Sequence, residues 1–589
     1  MKINWDLTHL YKNDDEWNYS CDELIKKLKI LEENTDVFIK NIDTFYEFIN
    51  LKIEVDELIE KIYCYPKRNL DIDLTLDRYN NMFQKALELY SRIQKINSAF
   101  ENQIITNSDL VKVYLGNPKL NKYYRYIHLI LRKKSHILPK AKIDTYSTYI
   151  DNVHKIKGSY QNLFDGEVKF EKALVNGNVI EVNKQNYSDL ILDKNQETRK
   201  IVFDTYTDAY INVNNILADL YIKKLKNDIT VSKLENYDSL LSKKLFELEL
   251  PNSVVDNLVN SVNKGLAVMH DYTNFKKNII GLKDFHVYDT TVSICEIPKI
   301  ELNLETSLDI IKNSLGILGQ DYVSLIDKMF EDGWVDVYPK DHKRTMPFTC
   351  ISYVGVPYIL INYNSSINSA RTLAHEIGHA INTYYSKKSN AFEYYEFSYF
   401  LTEIASKVNE ILVNEYMLKT CKNKQEKIYI LNNVISALGN SLFGQVMLTE
   451  FEHNVINKLL NDEEVSAENL NNLYLDLSKK YNGPSFTYDD NVKYGWSKIQ
   501  HFFMSDVYYL YQYSIGTAIA TNIAYRMLEN KNDIVERYKK FLSFGNSVSI
   551  EEALKYIDID LNNNKYIDDV IDVLKIKIKQ IRNLTNYKN

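Results

Sequence analysis

His375 and His379 stand four residues apart with Glu376 directly after the first, the pattern His-Glu-x-x-His. Side chains at i and i+4 leave a helix on nearly one face, so two imidazoles so placed can fill two corners of a tetrahedral Zn2+ site. The carboxylate one position after the first imidazole points at the open corner, where it can take a proton from a water held by the metal. The bland alternative is a pair of core histidines bonded to backbone carbonyls. The flanks favour the metal reading. Ser365 and Ser366 are candidate N-caps, and no proline or β-branched run interrupts Ala370 to Tyr384. At about 100° per residue, Ala370, Leu373, Ile377, Ala380 and Tyr384 fall opposite the two imidazoles, so the helix turns an apolar back to the core.

A catalytic zinc site needs a third protein ligand and keeps one position open. Residues 399–412 offer a second amphipathic helix, with Leu401, Ile404, Ala405, Val408 and Leu412 as its core stripe and Glu403, Lys407 and Glu410 on the other side. Glu403 is the ligand chosen, with Glu410 two turns on as a hydrogen-bond partner of the ligands. By spacing alone Glu396 serves equally, and a solvated acidic face is the other reading.

The elements that must carry these groups follow from composition. With 589 residues the chain exceeds one core, and Gly (17) and Pro (9) are scarce, which favours long helices. Net charge is −7 and no long basic run is present, which argues against nucleic acid or an anionic membrane as the main partner. The first residues lack the pattern of a secretory signal, and no apolar run reaches bilayer length. Cys21, Cys64, Cys295, Cys350 and Cys421 are scattered without metal or disulfide spacing, as expected of reduced thiols in the cytoplasm.

Residues 14–155 carry helical periodicity (Leu24, Ile25, Leu28, Leu31; Phe45, Phe48, Ile49, Ile53, Leu58), with breaks expected near Pro66, at Asn117-Pro118 and at Pro139. Asn176-Gly177 between Ala173-Leu174-Val175 and Asn178-Val179-Ile180 predicts a hairpin. Helical pattern resumes from about 188 to 264, interrupted near Pro251. Between 283 and 363, strands are expected at His286–Asp289, Trp334–Tyr338, Phe348–Tyr353 and Tyr358–Tyr363. An edge of this small sheet could pair with an extended peptide, or the sheet could merely support the helix.

From end to end the chain resembles the thimet oligopeptidase/oligoendopeptidase F family of zinc peptidases, closest to the oligoendopeptidase F branch. The likeness rests on Trp5-Asp6-Leu7-Thr8 with Leu10-Tyr11, Tyr237-Asp238-Ser239-Leu240-Leu241, Pro357 through Tyr363, Thr372 through Ala380, Thr402 through Ser406 with Asn409-Glu410, Gly483-Pro484, Tyr494 through Phe502, and Val507 through Tyr513. The resemblance implies that His375, His379 and Glu403 ligate one Zn2+ per chain and that Glu376 is the general base. It further implies that His501, Tyr508 and Tyr511 donate hydrogen bonds to the substrate carbonyl and the tetrahedral oxyanion. On a helix Tyr508 and Tyr511 would share a face, although in a chain with 46 Tyr such clusters are often packing. The implied fold is mainly α, two lobes around a deep channel with a small sheet beside the zinc helix. The first lobe is expected over 1–200 and the catalytic region over 201–589. The implied activity is endoproteolysis of short unfolded peptides in cytoplasmic turnover. Two departures stand out: Lys343 through Phe348 lacks the family's glycine-rich turn, and Phe502 through Val507 contains no glycine. The rival readings are a zinc hydrolase of non-peptide substrates and an inactive peptide-binding protein.

Overall fold

Few helix breakers and long apolar periodicities produce long helices. In the computed structural model, which describes residues 1–137, 156–298, 301–529 and 533–587, the longest are Ile42–Ile72, Asp77–Thr106 and Val254–Ile280. The stripes named above are mostly buried: Leu24, Leu28, Leu31, Phe45, Phe48 and Ile49 enter the core, whereas Ile25 is exposed. The helix expected to break at Pro66 runs through it. Pro66 is buried there, and the packing of the helix outweighs the loss of one backbone hydrogen bond. Pro118 does restart the chain, at the first position of a short 3₁₀ helix. The break expected at Pro139 lies outside the described residues. The stretch 188–264 is cut more often than expected, into Gln196–Ile211, Asn214–Leu234 and Leu240–Glu247 before the helix starting at Val254.

Strands are few and short. β1 (Lys172–Val175) and β2 (Asn178–Glu181) form the expected antiparallel hairpin, with Asn176 and Gly177 both at positive φ as a type I′ turn requires. β3 (Val335–Asp336), β4 (Phe348–Thr349) and β5 (Ile359–Leu360) make the second sheet in the order β3-β5-β4, with β5 parallel to β3 and antiparallel to β4. The strand expected at His286–Asp289 is instead a 3₁₀ turn, Val287–Asp289. Asp289 accepts from the His286 N–H (2.8 Å) and from buried Arg199 (3.0 Å), which curls the backbone. Among the described residues no helix is long and apolar enough to cross a membrane.

The chain divides into two units, and the cut is not at residue 200. One unit gathers Met1–Ile137, Ile300–Tyr416 and Ile523–Ile559; the other gathers Leu138–Lys299, Met417–Asn522 and Asp560–Asn589. Contacts distant in sequence decide the division, and a linear reading has no access to them. In the first unit, the Trp5 indole donates to the Ile359 carbonyl (2.7 Å), tying the amino-terminal segment to the sheet. In the second, Tyr221 and Phe451 pack on Phe502 and Trp496 packs on Phe503, which anchors the segment that begins at His501.

Candidate active site

Helix Ile367–Ser389 carries both imidazoles. Ser366 caps it, its hydroxyl accepting from the Ser369 N–H while Ser369 returns the bond to the Ser366 N–H, each at 3.1 Å. Ala370, Leu373, Ile377 and Ala380 are buried on its back. The second helix, Tyr399–Thr420, crosses it closely: Gly378 faces the backbone of Ala405 and Ser406, where even a methyl group would collide. Asn409 links the two, donating to the Ala374 carbonyl (3.2 Å) and accepting from the Tyr322 hydroxyl (2.9 Å).

This crossing brings three ligand types together. His375 Nε2 and His379 Nε2 are 3.1 Å apart, and the Glu403 carboxylate oxygens lie 3.7 Å from the first and 3.9 Å from the second. A tetrahedron with metal–ligand bonds of about 2.0–2.1 Å has edges of about 3.3–3.4 Å, so this donor set fits a zinc ion. Glu396 is exposed and outside the cluster. Ser406 donates to the Glu403 carboxylate at 3.2 Å, and Glu410 Oε1 lies 2.5 Å from His375 Nδ1. A carboxylate can only accept, so Nδ1 carries the hydrogen and Nε2 keeps its lone pair for a metal.

Charge at the site follows burial and neighbours. Burial holds His379 down to about 3, a neutral imidazole. Burial also works against a charged His375, but the Glu410 hydrogen bond and charge outweigh it and raise its proton affinity. Burial opposes a charged Glu410 as well, yet Lys407 (3.1 Å) and His375 hold it well below the usual carboxylate range. Glu376 is raised above its ordinary value by burial, with His375 and the Thr349 bond pulling the other way. Thr349 on β4 donates to Glu376 Oε2 at 2.6 Å, so the edge strand of the sheet orients the carboxylate.

Lys343 through Phe348, leading into β4, contains no glycine. Instead, buried Lys343 pairs with Asp336 (2.7 Å) and donates to the carbonyls of Ile361 (2.6 Å) and Tyr338 (2.7 Å), pinning the segment before β4.

The remaining expected residues belong to the second unit. His501 is exposed at the start of the short helix His501–Met504. Tyr508 and Tyr511 do not share a helical face, because Tyr508 precedes the helix Tyr511–Leu528 and has φ 58°. That left-handed conformation costs a non-glycine residue about 1 kcal/mol or more. Both rings are buried: the Tyr508 hydroxyl bonds His453 Nδ1 (2.9 Å), and the Tyr511 hydroxyl has no hydrogen-bond partner among the described residues. The tyrosines beside His501 are two others. Tyr509 stacks on its ring (centroids 5.9 Å, 18°), Tyr513 meets it edge-on (6.0 Å), and both are only half-buried. Their spacing of four was visible in the sequence. Thr349 had no such signal, since it stands 27 residues from Glu376.

A family model described as peptidase family M3 matches residues 190–572, a span holding both the His375 and the His501 segments. The chain belongs to peptidase family M3. It is therefore a metalloendopeptidase, and the resemblance to oligoendopeptidase F holds over its length. It is 30% identical over 589 residues to an oligoendopeptidase F homolog of Borreliella burgdorferi, covering 98% of each chain. It is 27% identical to the oligopeptidase PepF of Bacillus subtilis, covering 98% of this chain and 87% of that one. A crystal structure of a Chlamydophila abortus protein superposes with a TM-score of 0.92 at 25% identity, covering 99% of this chain and 98% of the other. As an M3 peptidase this chain combines the mainly helical fold with a sheet of very short strands beside the helix that carries His375 and His379.

Proposed function

We propose that this M3 peptidase is a zinc-dependent endopeptidase that hydrolyses internal bonds of short unfolded peptides, serving peptide turnover in the cytoplasm. The observation that carries the reading is Glu376, oriented by Thr349, directly following the first member of a convergent His375, His379 and Glu403 donor set. Relatives named as oligopeptidases support the substrate class.

His375, His379 and Glu403 would hold one Zn2+ per chain, which supplies Lewis acidity and makes water a nucleophile near neutral pH. Glu376 accepts the proton of the attacking water, and burial sharpens that role by raising its proton affinity. As the C–N bond breaks, Glu376 passes the same proton to the leaving amine, so one water is consumed and an acid and an amine are released. β4 is an edge strand, so an extended peptide can add to it through backbone hydrogen bonds whatever its sequence. His501 and the adjacent tyrosine hydroxyls serve the carbonyl oxygen as charge builds on it. The resemblance implies Tyr508 and Tyr511 for that task, and both are buried; we assign it to Tyr509 and Tyr513, which are half-buried and beside His501.

The test is hydrolysis of a quenched fluorogenic oligopeptide, with products mapped by mass spectrometry, beside a folded protein, small esters and epoxides. Internal cleavage of the peptide alone is the expected result. Turnover of esters or epoxides without peptide cleavage, or peptide binding without cleavage, would overturn the reading.

A further inference from the structure

Between helices His501–Met504 and Tyr511–Leu528 the chain turns without a glycine, and it does so by forcing Tyr508 to φ 58°. Left-handed backbone at a bulky residue persists only where its surroundings hold it. Two consecutive residues of helix Gln445–Leu460 do so here. Glu452, buried at 3% exposure, accepts from the Tyr508 N–H at 2.7 Å. His453, the next residue, bonds the Tyr508 hydroxyl at 2.9 Å. The grip thus takes Tyr508 by backbone and side chain together. The consequence lies one residue on, where Tyr509 is aimed at His501 and sits 5.4 Å from Tyr513 across an edge-on ring contact. Buried Lys224 offsets part of the cost of burying the Glu452 carboxylate, and the Tyr508 N–H gives that carboxylate a backbone donor.

We propose that Glu452 is a positioning residue: through the Tyr508 N–H it fixes the turn that places His501, Tyr509 and Tyr513 for their role toward the substrate carbonyl. The inference rests on the role given to His501 under Proposed function. What matters is an acceptor oxygen at full side-chain reach, and two substitutions separate reach from charge. Glu452→Asp keeps the carboxylate but withdraws it by about 1.5 Å, one C–C bond. Glu452→Gln loses the charge but keeps the oxygen in place.

The experiment measures kcat and KM of the full chain on the fluorogenic oligopeptide, with zinc content and melting temperature as controls of folding. E452D is expected to lose about tenfold or more in kcat with KM and zinc content little changed, because small misplacements of catalytic donors act on the transition state. E452Q is expected to stay within about threefold of the parent in kcat. In a His501→Ala background E452D should add no further loss, since both changes disable one unit. Parental kcat in E452D, equal damage in E452Q, or a full multiplicative loss on top of H501A would each overturn the proposal. Parental kcat in H501A alone would instead strike the role given to His501. That outcome differs from failure of the Glu452 contact, in which H501A is impaired and E452D is not. Should E452D not fold, Glu452→Met removes the acceptor without shortening the side chain and is read the same way.

Discussion

Gly378 and Ser406 set the distance between the helix that carries His375 and His379 and the helix that carries Glu403. A Cβ on Gly378 would lie 2.6 Å from Ser406 Cα and 2.8 Å from the Ala405 carbonyl oxygen, both backbone atoms that cannot swing aside. Gly378→Ala must therefore push the Glu403 helix off the histidine helix. Overpacking of this kind costs about 1–3 kcal/mol, and the donor set opens with it. A lowered melting temperature together with weaker zinc binding is the expected outcome. Parental metal affinity in a folded G378A would show that the close crossing does not set the ligand geometry.

Glu376→Gln preserves size and hydrogen-bond capacity but abolishes proton acceptance. The variant should fold and bind metal like the parent while kcat falls by about 10²–10⁴, the usual worth of a general base. Normal turnover by a metal-loaded E376Q enzyme would remove Glu376 from the chemistry.

The four tyrosines after His501 should separate cleanly under Tyr→Phe substitution. Y509F is expected to lose on the order of 10²-fold in kcat if its hydroxyl serves the oxyanion. Y511F should leave kcat unchanged, because its buried hydroxyl has no hydrogen-bond partner among the described residues to lose. Y508F should lower stability by about 1 kcal/mol through the lost bond to His453. A large kcat loss in Y511F with none in Y509F would restore the assignment first made from sequence.

Glu60, bonded by Ser352, Tyr353 and Tyr395, supplies a pH dependence of stability. Burial pushes its carboxyl up to about 7, even though the Tyr353 N–H (2.7 Å), Ser352 and Tyr395 (3.1 Å) all donate to it. A raised folded pKa means the native state holds a proton that the unfolded chain has released. Stability from this group is therefore full below about 4.5 and declines as pH rises through about 7, by about 3 kcal/mol. Glu60→Gln should flatten that decline in thermal melts taken across the window. Equal slopes in parent and variant would contradict the assignment.

What could be read in the sequence was local. The cap at Ser366, the imidazole face, the Leu401–Leu412 stripe and the Asn176-Gly177 turn all depend on residues within a turn or two of one another. Each was legible from spacing. The misreadings share the opposite property. Pro66 reads as a break because proline removes a helical hydrogen bond, yet it lies buried within Ile42–Ile72. The Val287–Asp289 turn is curled partly by Arg199, 90 residues away. Tyr508 and Tyr511 were assigned to one helical face because helical geometry was assumed up to Tyr508. A carboxylate 56 residues upstream instead holds Tyr508 in a left-handed turn. The division at residue 200 differs from the two units for the same reason, since each unit is assembled from three segments separated in sequence.

The central claim is that His375, His379 and Glu403 bind one zinc ion on which peptide hydrolysis depends. Metal analysis of the purified protein, coupled to hydrolysis before and after chelation, tests it most directly. One zinc per chain, loss of activity on chelation in step with loss of zinc, and recovery when zinc is restored are the expected results. Full peptide hydrolysis by metal-free protein, or a zinc content unaffected by replacing all three residues with alanine, would contradict it.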